Sequence, residues 1–470
     1  MKRRDFLKTG SLAALGGMLL TPFGAKANTI KEEFRGRKAK NIIFMVSDGM
    51  SVGTMIMADI YLKRKNGKSS NWVGLYEDNL VQRALMDMAS ANAIVTDSAA
   101  ASSSWGGGVR VNNGSLNVSP NGKENMPILQ KFKQAGKKVG CVTTVPITHA
   151  TPAGFCVTSK RRNAMDHIAE QYAELNFDVM MGGGSQYFDK DKRKDKKDVF
   201  DLFAKKGYTI AKTKSEMLSA PKNKPILGTF DEDAVPYTVD HLRDEKASKN
   251  IPSLAEMAQK AIDQMKDHKN GFALQIEGGK VDWAAHGNDI AALLFDQIAF
   301  DEAVKVVMDF AKKDKNTLVV ITSDHGNANP GLIYGGKTND NFDHLQKFTH
   351  SNDWVLQGIH ASSSTSFVKD RIAEACGGFA ITDEQAKELL SYYNNLKKED
   401  GLYNHKNLPF RALAEMQKAY TSVGWISMDH SSDYTELAMY GPGSENLKSF
   451  IRNTDMHNFL LNAAHVENKF

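Results

Sequence analysis

Five apolar runs, each closed by glycine or a polar turn, punctuate the chain: Asn41–Val46, Lys138–Thr144, Asp178–Met181, Phe272–Ile276 and Thr317–Thr322. Within them apolar residues follow one another instead of alternating with polar ones, as in strands covered on both faces. Segments of helical period lie between: Met126–Ala135, Arg162–Leu175, Ser253–His268 and Asp289–Lys313. Strand and helix in alternation predict an α/β fold, a three-layer α/β/α sandwich around a mainly parallel central sheet. From about Pro330 to Ser422 the texture changes to turns rich in Asn, Asp, Gly and Lys, with helical stretches such as Asp383–Asn395 and Pro409–Ala419. This reads as an insertion at about 330–422 that caps the main domain. Glu436–Gly443 then supplies a last strand and its turn, and the lysine-rich stretch Lys190–Lys197 reads as a solvated loop.

The first 27 residues stand apart from this pattern. Lys2-Arg3-Arg4 precedes an apolar run, Leu12–Leu20, and Ala25-Lys26-Ala27 offers a small-x-small cleavage site. That is the pattern of a twin-arginine export signal, with a run too short and too rich in Gly and Ala to be a comfortable bilayer span. It predicts removal of residues 1–27, a mature chain 28–470, the twin-arginine translocase as a partner during export, and a periplasmic location. The signal carries a net +4 of the formal +5, so the mature chain is nearly neutral and its charge points to no nucleic-acid partner. Three scattered cysteines, Cys141, Cys156 and Cys376, are too few for a disulfide framework. In an oxidising compartment they allow one bridge and leave a thiol over.

The chemistry gathers where the apolar runs end. The first run ends on Ser47-Asp48-Gly49, the fourth on Glu277-Gly278-Gly279, and the fifth on Ser323-Asp324-His325-Gly326. In open α/β sheets ligands bind beyond the carboxyl ends of strands, so these groups would converge in one crevice. Asp282 and His286, four apart, share a face if the segment is helical. A carboxylate and an imidazole together suit a zinc-like cation, and Glu277 a harder one. Four carboxylates (Asp48, Glu277, Asp282 and Asp324) desolvated together would repel unless cations neutralise them. In Thr96-Asp97-Ser98-Ala99-Ala100, the Asp-Ser pair before small residues reads as a helix start, where free N–H groups favour a phosphate-like anion. The same pattern also describes an ordinary N-cap. No G-x-S-x-G is present, so activation of the Ser98 hydroxyl would fall to a metal.

As an ordered set these pieces resemble the alkaline phosphatase family over most of the mature chain. The matching segments are Val46–Met50, Thr96–Ala100, His149–Gly154, Met181–Gly184, Glu277–His286, Thr322–Gly326 and His430 ahead of Tyr440–Gly443. The resemblance implies one zinc on Asp282, His286 and His430, and a second on Asp48, Asp324 and His325. It implies a third ion, magnesium or zinc in its place, on Asp48, Thr151 and Glu277. The implied function is hydrolysis of small phosphate monoesters by attack of Ser98 on phosphorus, through a phosphoseryl intermediate, releasing inorganic phosphate. Two zinc ions would stabilise the attacking and leaving oxygens. The family's phosphate-clamping arginine falls on Arg162, although Lys160 and Arg161 adjoin it, and Asp97 would orient it. A homodimer is implied as well.

The chain also departs from the best-known bacterial member, with His149 in place of an Asp and Trp283 in place of a Lys. Both positions border the third ion and the phosphate, so magnesium affinity and phosphate release should differ. Alternatives from the same superfamily are a phosphodiesterase or a sulfatase, but Ser98 lacks the C/S-x-P-x-R context of a sulfatase nucleophile. A non-catalytic phosphate-binding protein is a third reading, and the full ligand set argues against it.

Overall fold

The computed structural model describes residues 33–399 and 401–468. The export signal read in residues 1–27 lies outside the described residues. Ten strands form one sheet. In chain order they are β1 (Asn41–Ser47), β2 (Gln82–Asp87), β3 (Lys138–Pro146), β4 (Val179–Gly183) and β5 (Thr209–Ala211). They continue with β6 (Ile226–Thr229), β7 (Phe272–Gly278), β8 (Thr317–Thr322), β9 (Thr435–Tyr440) and β10 (Phe450–Arg452). Across the sheet the order is β10-β2-β9-β8-β1-β7-β3-β4-β6-β5. Only β9 runs against the rest, antiparallel to both β2 and β8.

The predicted sandwich is the observed one, and the side-chain period of two explains it. In β1, Ile43 and Met45 enter one core while Ile42, Phe44 and Val46 enter the other. In β8, Val319 and Ile321 separate from Leu318 and Val320 in the same way. The helices Val52–Asn66, Leu254–Met265 and Ile290–Asp314 bury residues in the first core. Ser98–Gly106, Ala150–Cys156, Met165–Leu175 and Asp455–Ala463 bury theirs in the second. Strands apolar on both faces therefore need helices on both.

All five apolar runs are strands of this sheet. The strands β2, β5, β6 and β10, of which β5 and β10 are the sheet edges, have no counterpart among the predicted runs. β2 exposes alternate residues and carries Gln82, Arg83 and Asp87, which dilute its apolar signal. The helix expected from Arg162 begins at Met165, and Arg162 stays in the preceding turn. Lys190–Lys197 is not wholly solvated. Arg193 lies buried at its centre, with Nη2 held by Glu170 and Asp195, both at 2.6 Å. Cys141, Cys156 and Cys376 are all free and buried, so the bridge that was allowed for does not form. Between Gly331–Leu332 and Val423–Gly424, which pair antiparallel, lie the short helices of the predicted insertion. Among the described residues no helix is long and apolar enough to cross a membrane.

Candidate active site

The order β8-β1-β7-β3 lines up four neighbouring carboxyl ends. Val46 is in register with Glu277 on one side and Thr322 on the other, and Glu277 with Thr143 of β3. Asp48, Glu277 and Asp324 are consequently delivered to one crevice, and the helix Lys280–His286, starting two residues after β7, adds Asp282 and His286. His149 and Thr151 come from the helix that follows β3, and Ser98 opens its own helix with Asp97 as N-cap. Gly49 allows the close approach. It has φ +66°, and a Cβ there would overlap Asp282 Oδ1.

Three groups of ligand atoms, each lying mutually within 4.8 Å, fill this crevice: Asp282, His286 and His430; Asp48, Asp282 and His325; Asp48, His149 and Glu277. Each of the histidines His286, His430 and His325 is fixed by its far nitrogen. Nδ1 of His286 donates to the Met428 carbonyl at 2.6 Å, that of His430 to Thr96 at 3.0 Å, and that of His325 to Gly326 at 3.3 Å. All three Nε2 lone pairs therefore face inward. Nε2 of His286 and of His430 are 3.1 Å apart, and Asp282 carboxylate oxygens lie 3.5 and 3.6 Å from them. His325 Nε2 is 3.2 Å from Asp324 Oδ2 and 3.6 Å from Asp48 Oδ1.

Facing lone pairs and buried carboxylates repel unless positive charge stands between them. Asp48 Oδ1, Glu277 Oε1 and Asp324 Oδ2 are buried with no hydrogen-bond partner. Burial, then repulsion from Asp324, Asp282 and Glu277, pushes Asp48 well above the usual carboxylate range. Burial likewise raises Glu277 to about 7 and Asp324 to about 8. Burial opposes ionisation of Asp282 too, yet the three imidazoles and the Asn327 amide hold its carboxyl low. The donor set, imidazole and carboxylate with orphaned oxygens, fits divalent cations.

Ser98 is buried, and its Oγ lies 3.2 Å from His325 Nε2. The Asp97 carboxylate accepts from Ala100 N at 2.9 Å, from Gly114 N at 2.9 Å and from Arg162 Nη1 at 3.0 Å. Arg162 Nη2 lies 3.2 Å from His149 Nε2, while Lys160 and Arg161 are exposed. Among the three adjacent cations, the fold turns Arg162 toward the crevice. Burial, then the Arg162 charge, lowers His149 to about 3, so its imidazole is neutral and Nε2 accepts from the guanidinium. Trp283 meets the His149 ring edge-on at 6.0 Å. Thr151 Oγ1 donates to Asp48 Oδ2 at 3.2 Å.

Two residues absent from the sequence reading complete the site. Asn327 Nδ2 donates to Asp282 Oδ1 at 2.7 Å, and Thr143 Oγ1 donates to Glu277 Oε2. Asn327 follows the Asp324-His325 pair closely enough to have been suspected. Thr143, one of two threonines closing the run Lys138–Thr144, carries no such signal.

The alkaline phosphatase family model matches residues 39–466. The chain belongs to the alkaline phosphatase family. It is 32% identical over 441 residues to alkaline phosphatase 4 of Bacillus subtilis, covering 90% of this chain and 88% of that protein. It is 29% identical to the alkaline phosphatase of Escherichia coli over 70% of this chain and 82% of that one. The crystal structure of Thermus thermophilus alkaline phosphatase superposes with a TM-score of 0.85 at 30% identity, covering 95% of this chain and 96% of that one. The resemblance seen in the motifs is thus borne out, and the protein is a phosphatase with residue groups able to bind metal ions.

Proposed function

We propose that this phosphatase hydrolyses phosphate monoesters through a phosphoseryl intermediate on Ser98. The observation that carries the reading is the placement of Ser98 Oγ beside His325 Nε2, between three convergent ligand groups and the Arg162 guanidinium. Asp282, His286 and His430 would hold one zinc; Asp48, Asp324 and His325 a second; Asp48, Thr151 and Glu277 a third ion, magnesium, with His149 beside it. Bound there, such cations supply positive charge for the attacking and leaving oxygens of an in-line displacement.

The chain's own groups do the rest. Free N–H groups at the start of the Ser98–Gly106 helix and the guanidinium of Arg162 face the phosphoryl oxygens. Asp97 and His149 restrain that guanidinium, leaving its other N–H donors for substrate. Ser98 loses its proton, Oγ bonds to phosphorus, and the ester P–O bond breaks as the alcohol leaves with a proton. Water then attacks phosphorus, the Oγ–P bond breaks, Ser98 regains a proton, and inorganic phosphate departs.

Chelation should abolish turnover of a chromogenic monoester, and zinc with magnesium should restore it. Acid quenching during turnover should yield a phosphorylated peptide containing Ser98. Monoester turnover by Ser98→Ala at the wild-type rate would overturn the assignment. We also read residues 1–27 as directing export by the twin-arginine translocase to the periplasm, 330–422 as a cap, and the assembly as a homodimer.

A further inference from the structure

A cavity of about 1250 Å³ opens beside the metal-ligand groups, between the sheet's carboxyl ends and the 330–422 segment. It begins at Trp283, His286 and Asp429, next to His430. The imidazoles form a row from the nucleophile toward this cavity. Ser98 Oγ touches His325, whose ring stacks on His430 at 3.7 Å, and the His286 ring follows at 5.0 Å. If Ser98 attacks in line, the departing alcohol points away from Ser98 and into the cavity.

The wall of that cavity has its own charge pattern. It carries the carboxylates of Asp231, Asp233, Asp240, Asp353 and Asp429 against the cations Lys280, Arg371 and Lys406. Among the described residues none of the five carboxylates stands in an ion pair. Their partners are neutral: Gln186 Nε2 for Asp233 at 3.1 Å, and the Ser351 N–H for Asp240 at 2.9 Å. Asp353 Oδ1 is buried with no partner at all. Two of the cations lie against the cavity's own aromatic walls. Lys280 Nζ lies 3.6 Å from the Tyr237 ring centroid, and Arg371 stacks on Trp354 at 3.5 Å while donating to the Val355 carbonyl. Burial pushes the carboxyls of Asp231, Asp233 and Asp240 upward, and the charge of the nearby Lys280 offsets this only in part.

We propose that this cavity is the leaving-group pocket and that its unpaired carboxylates select phosphate monoesters whose alcohol carries an ammonium group, against those whose alcohol carries a further anion. The inference rests on the monoesterase reading above. Carboxylates and aromatic faces together are what recognise an ammonium, and like charge on the leaving group would be repelled in a partly desolvated wall.

The test is a matched series on the metal-loaded full-length enzyme: 4-aminobutyl, 4-hydroxybutyl and 3-carboxypropyl phosphate, with p-nitrophenyl phosphate as reference. The expected order of kcat/KM is amino, hydroxy, carboxy, with about tenfold between the extremes. Asp233→Asn combined with Asp353→Asn should collapse that ratio to near unity while the melting temperature and metal content stay those of the wild type. Lys406→Glu, an exposed change that should not disturb folding, should widen the ratio. Normal p-nitrophenyl phosphate turnover with no dependence on leaving-group charge, or a preference for the carboxylate, would overturn this inference and leave the monoesterase reading standing. No monoester turnover by the metal-loaded enzyme would overturn both.

Discussion

At the scale of single residues, the site depends on groups that fix other groups. Asp97 caps its helix through Ala100 N and holds Arg162 at 3.0 Å, so one carboxylate does structural and electrostatic work together. Asp97→Ala should therefore cost about 1 kcal/mol in unfolding free energy through the lost cap, and it should raise KM for monoesters as Arg162 loses its restraint. Arg162→Ala should lower kcat/KM about 100-fold, and Arg162→Lys should recover little of it, because a single ammonium cannot bond to Asp97, His149 and phosphate together. Steady-state kinetics alongside urea unfolding separates the two effects. Asn327→Ala leaves the Asp282 carboxylate without its 2.7 Å amide donor. Metal affinity measured by chelator competition should fall roughly 10–100-fold while the fold persists.

At the scale of elements, the carboxyl ends of β8, β1, β7 and β3 act as one ledge whose order brings residues up to 276 positions apart in sequence (Asp48 and Asp324) into contact range. The sharp turn after β1 makes that ledge compact. Gly49→Ala would put a methyl group into Asp282 at a positive φ, which should destabilise the protein by about 3 kcal/mol or more. The decisive readout is metal content of the folded fraction: loss of one zinc equivalent is expected, and full metal occupancy with a normal melting temperature would contradict the role given to this glycine. The strand β2 shows the opposite relation. It is exposed on alternate positions, it is separated from β8 by the antiparallel β9, and it contributes none of the ligand-group residues.

At the scale of the whole molecule, buried acids away from the ligand groups should give stability a pH slope. Burial lifts Asp240 to about 6, Asp296 to about 7 and Asp289 to about 8, each from an ordinary 3.8. The folded state thus keeps protons that the unfolded state has already released between about pH 4 and pH 8. Stability should fall as pH rises through that window and level off above it. Asp296→Asn removes one such proton while its side-chain oxygen can still accept from Thr238, whose N–H and hydroxyl both bond to Asp296 at 3.1 Å. Its melting temperature should decline less steeply with pH than that of wild type. An identical slope would mean that Asp296 does not hold a proton in the folded protein.

Much of this was readable along the chain because the signals are local. Continuous apolar runs mark doubly covered strands whatever their partners, and ligand-type residues placed just after such runs mark strand ends. The motif around Glu277–His286 sits directly after one of them. What the sequence could not show depends on strand order and side-chain direction. The choice of Arg162 over Lys160 and Arg161 follows from which side chain the turn before Met165 points inward. The sharing of Asp282 between two ligand groups follows from β1 and β7 being neighbours. Thr143 and Asn327 became part of the site only when their hydrogen bonds to Glu277 and Asp282 formed. So did the acidic pocket beyond His286, whose walls come from segments as far apart as Asp231 and Asp429. Local pattern determined the elements and the reactive residue types, because periodicity and turn chemistry act over a few residues. Tertiary structure alone decided which charges face one another, because electrostatic contact acts through space and takes no account of sequence distance.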